Sequence, residues 1–284
     1  MKKPKTPRPI LGTANFGTPY GLLSNKVLDY PQLQGLILTA IELGIETLDT
    51  AESYLESQKF ISSLGRGLFK GIHTKINIGK RSYKDICQAI ENQIQIFKSQ
   101  NVSRILAHDW QKATKIEKIN FHRSSLQFPE IDFGVSVYEV DELVDCLQYF
   151  SNFRAFQIPY SLVDQRFRKF LSNSSLKNRP LFTARSIFLQ GALDSRLPSN
   201  PFSKHPNILG INSLLNSTQL TLDELVIAFL KQSGVEEFVF GSVQKEQISG
   251  IVAALHKKYS PLDFKGLHSD DRNLTDPRKW KTKF

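Results

Sequence analysis

The chain has 284 residues, of which 40% are hydrophobic and 23% are charged, and its formal net charge is +10. These values are typical of a soluble globular protein that can bury one barrel-sized core, and they exclude a disulfide-rich scaffold or a low-complexity chain. The positive charge is spread over both termini and over helix surfaces. Because no dense basic stripe is interleaved with aromatic residues, we do not expect nucleic-acid binding.

The two cysteines, Cys87 and Cys146, both lie in segments with a helical pattern. Their number and spacing fit neither a disulfide framework nor a metal site, which predicts a reducing, cytoplasmic compartment and no bound metal. No segment reaches the roughly 18 apolar residues of a membrane span. The basic N-terminal segment also lacks the apolar stretch of a signal peptide, so we expect no membrane association.

Eight short segments have the apolar pattern of β-strands. In chain order they are ILGTAN (10–15), GIETLDT (44–50), GIHTKI (71–76), SRILAH (103–108), IDFGVSV (131–137), RAFQIP (154–159), PLFTARS (180–186) and EFVFGS (237–242).

Amphipathic segments with helical spacing lie between most of these strands. They cover residues 30–44, 82–97, 140–150, 164–174, 221–234 and 242–258. Gly44 is placed to end the first helix, and Ser82 is placed to cap the second with Asp85 at the capping-box spacing.

Strands that alternate with helices at intervals of about 23 to 36 residues predict right-handed βα units. Eight such units, without the GxGxxG fingerprint of a dinucleotide-binding open sheet, favour an α/β fold of the (β/α)8 TIM-barrel type in one domain, residues 1–284. The Pro-, Asn- and Ser-rich segment around 192–212 predicts a long loop on one face. A tail from about residue 260 either drapes over the barrel or is disordered.

Four polar side chains lie at or just past the ends of predicted strands two to four: Asp49, Tyr54, Lys75 and His108. The carboxyl ends of barrel strands converge on the face that carries the active site. A phenol is a weak acid near neutral pH, but a nearby ammonium favours its ionised form, and a carboxylate can hold that ammonium in place. An imidazole can donate a second hydrogen bond to a carbonyl oxygen. The set predicts a reductase whose hydride comes from a nicotinamide cofactor.

Taken singly, these residues have simpler explanations. Asp49 could cap a turn, Tyr54 could serve packing, and His108 could be a satisfied structural histidine. A lysine at the inward end of a barrel strand is harder to explain, because an unpaired buried ammonium is costly. Four such groups at the same ends of three successive units favour an active site.

The same stretches resemble the aldo-keto reductase family, from LGTANFGTPYG through GIETLDTAESY, the TK of HTKI, LAHD, GVSVY, FQIPYSLVDQR and ARSIFLQGAL to FGSVQKEQ. The resemblance implies a (β/α)8 barrel that binds NADP(H) and reversibly reduces aldehydes or ketones to alcohols. It implies that Tyr54 is the proton donor, that Lys75 and Asp49 tune it, and that His108 orients the substrate.

The resemblance also implies a set of cofactor-binding residues spread over the strand ends. They are Thr13, Ala14, Asp49, Ser136, Gln157, Tyr160, Ser161, Leu162, Leu189, Gln190, Gly191, Gly241, Ser242, Lys245 and Gln247. Within this set Ser136 and Gln157 would hold the carboxamide and Tyr160 would stack on the nicotinamide.

The chain departs from the family pattern at Val137 and Ile251, where relatives often have asparagine, and at Val243, where a basic residue is frequent. We predict NADP(H) over NAD(H), because Lys245 lies beside a helix N-terminus and no acidic residue is evident to bind a ribose diol.

Phe16, Tyr20 and Trp110, with the loop at 194–210, are the candidate substrate-pocket residues for a small carbonyl compound. Two other functions are compatible with the residues. One is a Schiff-base aldolase that uses Lys75, and the other is a regulatory barrel that binds cofactor with negligible turnover. The sequence does not determine the substrate or the oligomeric state.

Overall fold

The computed structural model describes residues 6–17, 27–172, 180–197 and 200–280. Eight parallel strands close into a barrel in chain order, with β1 paired to β8, so the predicted (β/α)8 fold is confirmed. The strands are β1 (Arg8–Gly12), β2 (Thr47–Asp49), β3 (Gly71–Ile76), β4 (Val102–Ala107), β5 (Asp132–Ser136), β6 (Ala155–Pro159), β7 (Leu181–Arg185) and β8 (Glu237–Gly241).

Helices surround the barrel in the described residues. They are α1 (Tyr30–Glu42), α2 (Leu55–Ser62), α3 (Tyr83–Ile96), α4 (Lys115–Ser125), α5 (Val140–Tyr149), α6 (Arg168–Ser172), α7 (Pro206–Thr218), α8 (Leu222–Ser233), α9 (Lys245–His256) and α10 (Arg272–Thr275). Within the described ranges, no helix combines the length and apolarity needed to cross a membrane.

Local sequence signals set several helix boundaries. At α3 the Ser82 hydroxyl accepts from the Asp85 amide at 3.3 Å, and the Asp85 carboxylate accepts from the Ser82 amide at 3.1 Å, which confirms the predicted capping box. α8 has the same reciprocal cap. It ends at Gly234, whose φ of 84° lies in the left-handed region that glycine tolerates best.

The strand register brings functional side chains to one end of the barrel. Gly12 pairs with Asp49 at the carboxyl ends of β1 and β2, and Ser136, which ends β5, pairs with Gln157 in the middle of β6. Just past β4, the His108 amide donates to the Ile76 carbonyl at 2.9 Å. Parallel pairing therefore carries residues that are far apart in sequence onto the same face.

One segment differs in part from its predicted form, and a second takes one of the two forms considered for it. The loop expected around 192–212 is helical from Pro206, where α7 begins with a proline in its first turn. The C-terminal segment packs on the barrel. There the Trp280 indole donates to the Asn273 carbonyl at 2.8 Å and its ring lies 5.2 Å from that of Phe202.

A buried ionic cluster lies deeper in the barrel, and it joins strands that are distant in sequence. The Arg104 guanidinium donates to the Glu237 carboxylate at 2.6 Å and to the Thr183 hydroxyl at 3.3 Å, and it contacts His73 Nδ1 at 3.3 Å. Arg8 binds the other oxygen of Glu237. Arg104 and Glu237 are 4% and 3% exposed, so little water screens their charges.

Candidate active site

A cavity of about 760 Å³ opens at the carboxyl ends of the strands. Its wall includes all four candidate catalytic residues together with side chains from the β7 loop, α8, α9 and the C-terminal segment. A cavity of this size lies in the upper part of the range for small-molecule sites in proteins. The predicted convergence of the four residues is therefore seen in the structure.

A buried ion pair lies in this cavity. Lys75 Nζ donates to Asp49 Oδ1 at 2.5 Å and to the Thr50 carbonyl at 2.9 Å, and both side chains are at most 7% exposed. A buried ammonium needs a counter-charge and hydrogen-bond acceptors, and Asp49 and Thr50 supply both. Lys75 is therefore held as an oriented cation.

The second oxygen of the Asp49 carboxylate is also engaged. Gln157 Nε2 donates to Asp49 Oδ2 at 2.8 Å, and Ser136 Oγ lies 3.4 Å from Gln157 Oε1. Thr13 donates its hydroxyl to the Asp49 carbonyl at 3.0 Å. These contacts fix both the carboxylate and the backbone carbonyl of Asp49. The Lys75 ammonium that binds the carboxylate therefore has a defined position in the cavity.

Tyr54 and His108 lie close to the ion pair in the same cavity. Lys75 Nζ is 5.8 Å from the centroid of the Tyr54 ring, and the rings of Tyr54 and His108 meet edge to face with centroids 6.1 Å apart. Burial, with the charges of Lys75 and Arg185, lowers the pKa of His108 to about 3. The imidazole is therefore neutral near pH 7 and has one N–H to donate.

The low pKa of His108 makes stability pH-dependent in a defined direction. Between its ordinary pKa of 6.5 and the folded value of about 3, the unfolded chain takes up a proton that the folded chain does not, so the free energy of unfolding falls on acidification. From pH 7 to pH 5 this loss is about 2 kcal/mol for His108. Urea unfolding at pH 7 and pH 5 measures this loss. In His108→Asn the free energy of unfolding should fall by about 2 kcal/mol less than in the wild-type protein over the same pH interval. The exposed His256→Asn is the control and should keep the wild-type loss, and equal losses in both variants would contradict the assignment.

The cavity wall also offers groups suited to a dinucleotide. Asn15 donates its amide to the Ser242 carbonyl at 2.6 Å, while its buried Oδ1 has no partner among the described residues. A Cβ built on Gly241 would lie 3.5 Å from that oxygen. At the start of α9 the Val243 amide donates to Gln247 Oε1 at 3.0 Å, a position that an oxygen of a ligand can take. The unused acceptor can receive a hydrogen bond from a ligand hydroxyl or amide, and the helix N-terminus favours an anionic group such as a phosphate.

The backbone after β7 is strained beside the cavity, which Gln190 and Gly191 line. Leu189, Gln190 and Gly191 follow one another with φ of 47°, 53° and 96°, all in the left-handed region. Non-glycine residues rarely adopt this conformation, and such strain is concentrated at ligand clamps. The implied role of this loop in cofactor binding stays a prediction.

The structure divides the implied cofactor residues into two groups. Those that line the cavity are Ala14, Asp49, Ser136, Gln157, Gln190, Gly191, Gly241, Ser242 and Gln247. Those that do not are Thr13, Tyr160, Ser161, Leu162, Leu189 and Lys245. Thr13 supports Asp49 from behind through the hydrogen bond given above.

Three aromatic residues are corrected by their placement. Tyr160 stacks on Phe229 with centroids 5.0 Å apart, and burial raises its pKa, so the ring belongs to the core and is not positioned to stack on a nicotinamide. Phe16 and Trp110 are each 1% exposed and do not line the cavity. An aromatic ring beside a strand end can also turn outward and pack under the helices, as these do. Tyr20 lies outside the described residues.

Lys245 is also placed differently from the prediction. A Cβ built on Gly35 would lie 2.7 Å from Lys245 Cε and 3.1 Å from its Nζ, so this side chain lies against α1 and away from the cavity. The nonpolar Val243 and Ile251 line the cavity near α9, and so does Asp223, whose pKa is raised by burial and by the neighbouring Glu224. The two reasons for predicting NADP(H) were the position of Lys245 and the absence of an acidic residue near the cofactor, and neither holds in the structure.

Asp194, Arg196 and Leu197, from the loop predicted to line the substrate pocket, do line the cavity. Sequence reasoning missed several other polar residues of the cavity wall: Asn15, Tyr138, Arg185, Asp223 and Arg278. Arg185 ends β7 in the same position that made Lys75 and His108 candidates, so the strand-end signal could have found it. Arg278 belongs to the tail, and no local pattern points to it.

The comparisons with known proteins agree with this geometry. The model of the Aldo/keto reductase family matches residues 10–270. No curated protein sequence matches the chain.

Two solved structures illustrate the similarity of the fold. The holo form of an aldo-keto reductase from Bacillus halodurans is 18% identical, with 90% of each chain covered and a TM-score of 0.69. An aldo-keto reductase from Bombyx mori in complex with NADP is 14% identical, with 94% of this chain and 92% of that chain covered and a TM-score of 0.67. At these identities the likeness concerns the barrel itself. The match of the family model over most of the sequence is what shows that the chain belongs to the aldo/keto reductase family.

Proposed function

We propose that the protein reversibly reduces an aldehyde or ketone to an alcohol, with Tyr54 as proton donor and a nicotinamide dinucleotide as cofactor. The observation that carries the proposal is the buried Lys75–Asp49 pair beside Tyr54 and a neutral His108 in one cavity. A bound nicotinamide dinucleotide would supply the hydride.

The side chains then have separate roles. The neutral His108 donates a hydrogen bond to the carbonyl oxygen and orients it. The Tyr54 hydroxyl gives its proton to the oxygen as negative charge develops there, and the Lys75 ammonium stabilises the phenolate that remains. Asp49 holds the ammonium in place through its hydrogen bond. Gln157 and Ser136 are the residues that would bind the carboxamide of the cofactor.

A Schiff-base aldolase fits the cavity less well. Its lysine must become a neutral, nucleophilic amine, but Lys75 Nζ is bonded to a carboxylate and a carbonyl, which favour the ammonium. Borohydride trapping with a keto compound tests this alternative, and we expect no covalent adduct at Lys75.

The choice between NADP(H) and NAD(H) remains a prediction. NADP(H) is supported by the NADP complex of the Bombyx mori relative, and no longer by Lys245. Because the Lys245 side chain lies against α1, Lys245→Ala should change the Kd of NADPH and that of NADH by less than about twofold, which corresponds to under about 0.5 kcal/mol. A selective loss of NADPH affinity would show instead that Lys245 turns toward the 2′-phosphate.

The decisive experiment combines these titrations with a screen of aldehydes and ketones, read by the absorbance of the reduced cofactor. We expect binding of NADPH and turnover of at least one carbonyl compound. Binding without turnover of any member would indicate a regulatory barrel, and absence of binding to either dinucleotide would exclude the proposal.

A further inference from the structure

Arg185 has unusual surroundings for a cation in this cavity. Its Nη2 donates to the Val137 carbonyl at 3.1 Å, its Nη1 lies 3.5 Å from Ser186 Oγ, and the guanidinium carbon is 3.9 Å from the centroid of the Tyr138 ring. These contacts use two of the five donors of a guanidinium. In the described parts of the chain, no carboxylate lies within ion-pair distance of Arg185.

The other cations of the cavity wall are all neutralised by carboxylates. Lys75 is paired with Asp49, and Arg196 binds both oxygens of Asp194 at 2.8 and 2.9 Å. Arg278 binds both oxygens of Asp276 at 2.8 and 2.7 Å. Arg185 is thus the one cation of the described wall whose charge is left for a ligand.

The guanidinium is also held in place. Arg185 and Arg278 lie on the Tyr138 ring, with guanidinium carbons 3.9 and 3.5 Å from its centroid. The cation–π contact and the hydrogen bond to Val137 fix the plane of the Arg185 guanidinium. Its remaining N–H groups can then bind a planar oxyanion through two hydrogen bonds. Its charge is also felt at His108, so it lies near the proposed point of reaction.

We propose that Arg185 binds the carboxylate of the substrate, so that the enzyme prefers carbonyl compounds that carry a carboxylate. This inference rests on the proposed function for its reaction, whereas the binding of an anion does not depend on turnover. A charge-assisted, bidentate contact should favour the charged substrate roughly 10- to 100-fold in kcat/KM.

The first test is a matched pair of substrates, 4-carboxybenzaldehyde and its neutral methyl ester. The wild-type enzyme should prefer the acid, and Arg185→Gln should abolish that preference, so the ratio of the two kcat/KM values is the readout. Arg185→Lys should keep part of the preference because it keeps the charge. Arg123→Gln is the control, since Arg123 lies 5.1 Å from the Tyr83 ring on the outer helix α4, and its ratio should equal that of wild type.

The second test separates this inference from the proposed function. Calorimetry should show that benzoate binds the wild-type protein, that benzamide does not, and that Arg185→Gln loses the binding of benzoate. If no aldehyde is reduced, these titrations still decide the role of Arg185. The inference would be overturned if Arg185→Gln left the ratio of the two kcat/KM values unchanged, whether or not both values fell. If NADPH affinity fell as well while the ratio stayed the same, Arg185 would be assigned to the cofactor.

Discussion

Replacement of Tyr54 by phenylalanine is expected to lower kcat for any accepted aldehyde by about 10²- to 10⁴-fold, the usual loss when a positioned general acid is removed. The change deletes one hydroxyl and little volume. Tyr54 caps the start of α2 with its backbone, since its carbonyl accepts from the Gln58 amide at 2.9 Å, and Phe keeps that bond. Folding and cofactor affinity should therefore be preserved, which a thermal melt and an NADPH titration will check.

Tyr149→Phe is the matched control, because Tyr149 is 67% exposed on α5 and does not line the cavity. It should retain the wild-type rate. A Tyr54→Phe enzyme that keeps more than about a tenth of the rate with normal cofactor binding would remove Tyr54 from the role of acid.

Glu237→Gln should destabilise the protein by about 3 to 5 kcal/mol, since it leaves the buried Arg104 charge without its counter-ion. The new amide is close in size to the carboxylate, so the loss measures charge and not packing. Among the described residues, the other carboxylate near Arg104 is that of Asp132, which lies 4.0 Å away with a half-exposed side chain and therefore compensates the charge weakly. Equilibrium unfolding in urea at pH 7 measures the difference.

The control for this variant is Glu46→Gln on the surface. Glu46 pairs with Lys70, and both side chains are more than half exposed, so the loss should stay below about 1 kcal/mol. Similar losses for the two variants would show that the buried charges do not depend on each other.

The strands and the four candidate catalytic residues were accessible from the sequence for a physical reason. Each barrel strand is largely buried and has the pattern of a short apolar segment, so an ionisable residue at or just past its carboxyl end is a candidate for the open end of the barrel. Asp49, Lys75 and His108 follow this rule. Tyr54 lies five residues beyond the end of β2. It became a candidate because Asp49, Lys75 and His108 were expected beside it.

The helices that the sequence did not reveal are those with weak patterns. In α4, KIEKINFHRSS, few apolar residues fall on the buried face, and α2 spans only eight residues. The start of α7 was read as loop because its proline and asparagine resemble a turn, whereas proline is also well suited to the first turn of a helix.

The positions of single side chains were less predictable still. Tyr160 and Trp110 are adjacent to strand ends, yet their rings turn into the core, and only the packing of Phe229 or of Phe150 and Phe153 decides this. The arrangement of Arg185 and Arg278 on Tyr138 joins three distant parts of the chain. No spacing along the sequence encodes such a contact.

The ionic cluster of Arg104 and Glu237 makes the two halves of the barrel unequal. The half that contains β1 to β4 contributes Arg8, His73 and Arg104, whereas the half that contains β5 to β8 contributes Asp132, Thr183 and Glu237. A fragment of the first half would bury a guanidinium with no anion, and a fragment of the second would bury a carboxylate with no cation. We therefore expect that neither half folds on its own, because the charges inside the barrel are balanced when its two halves come together.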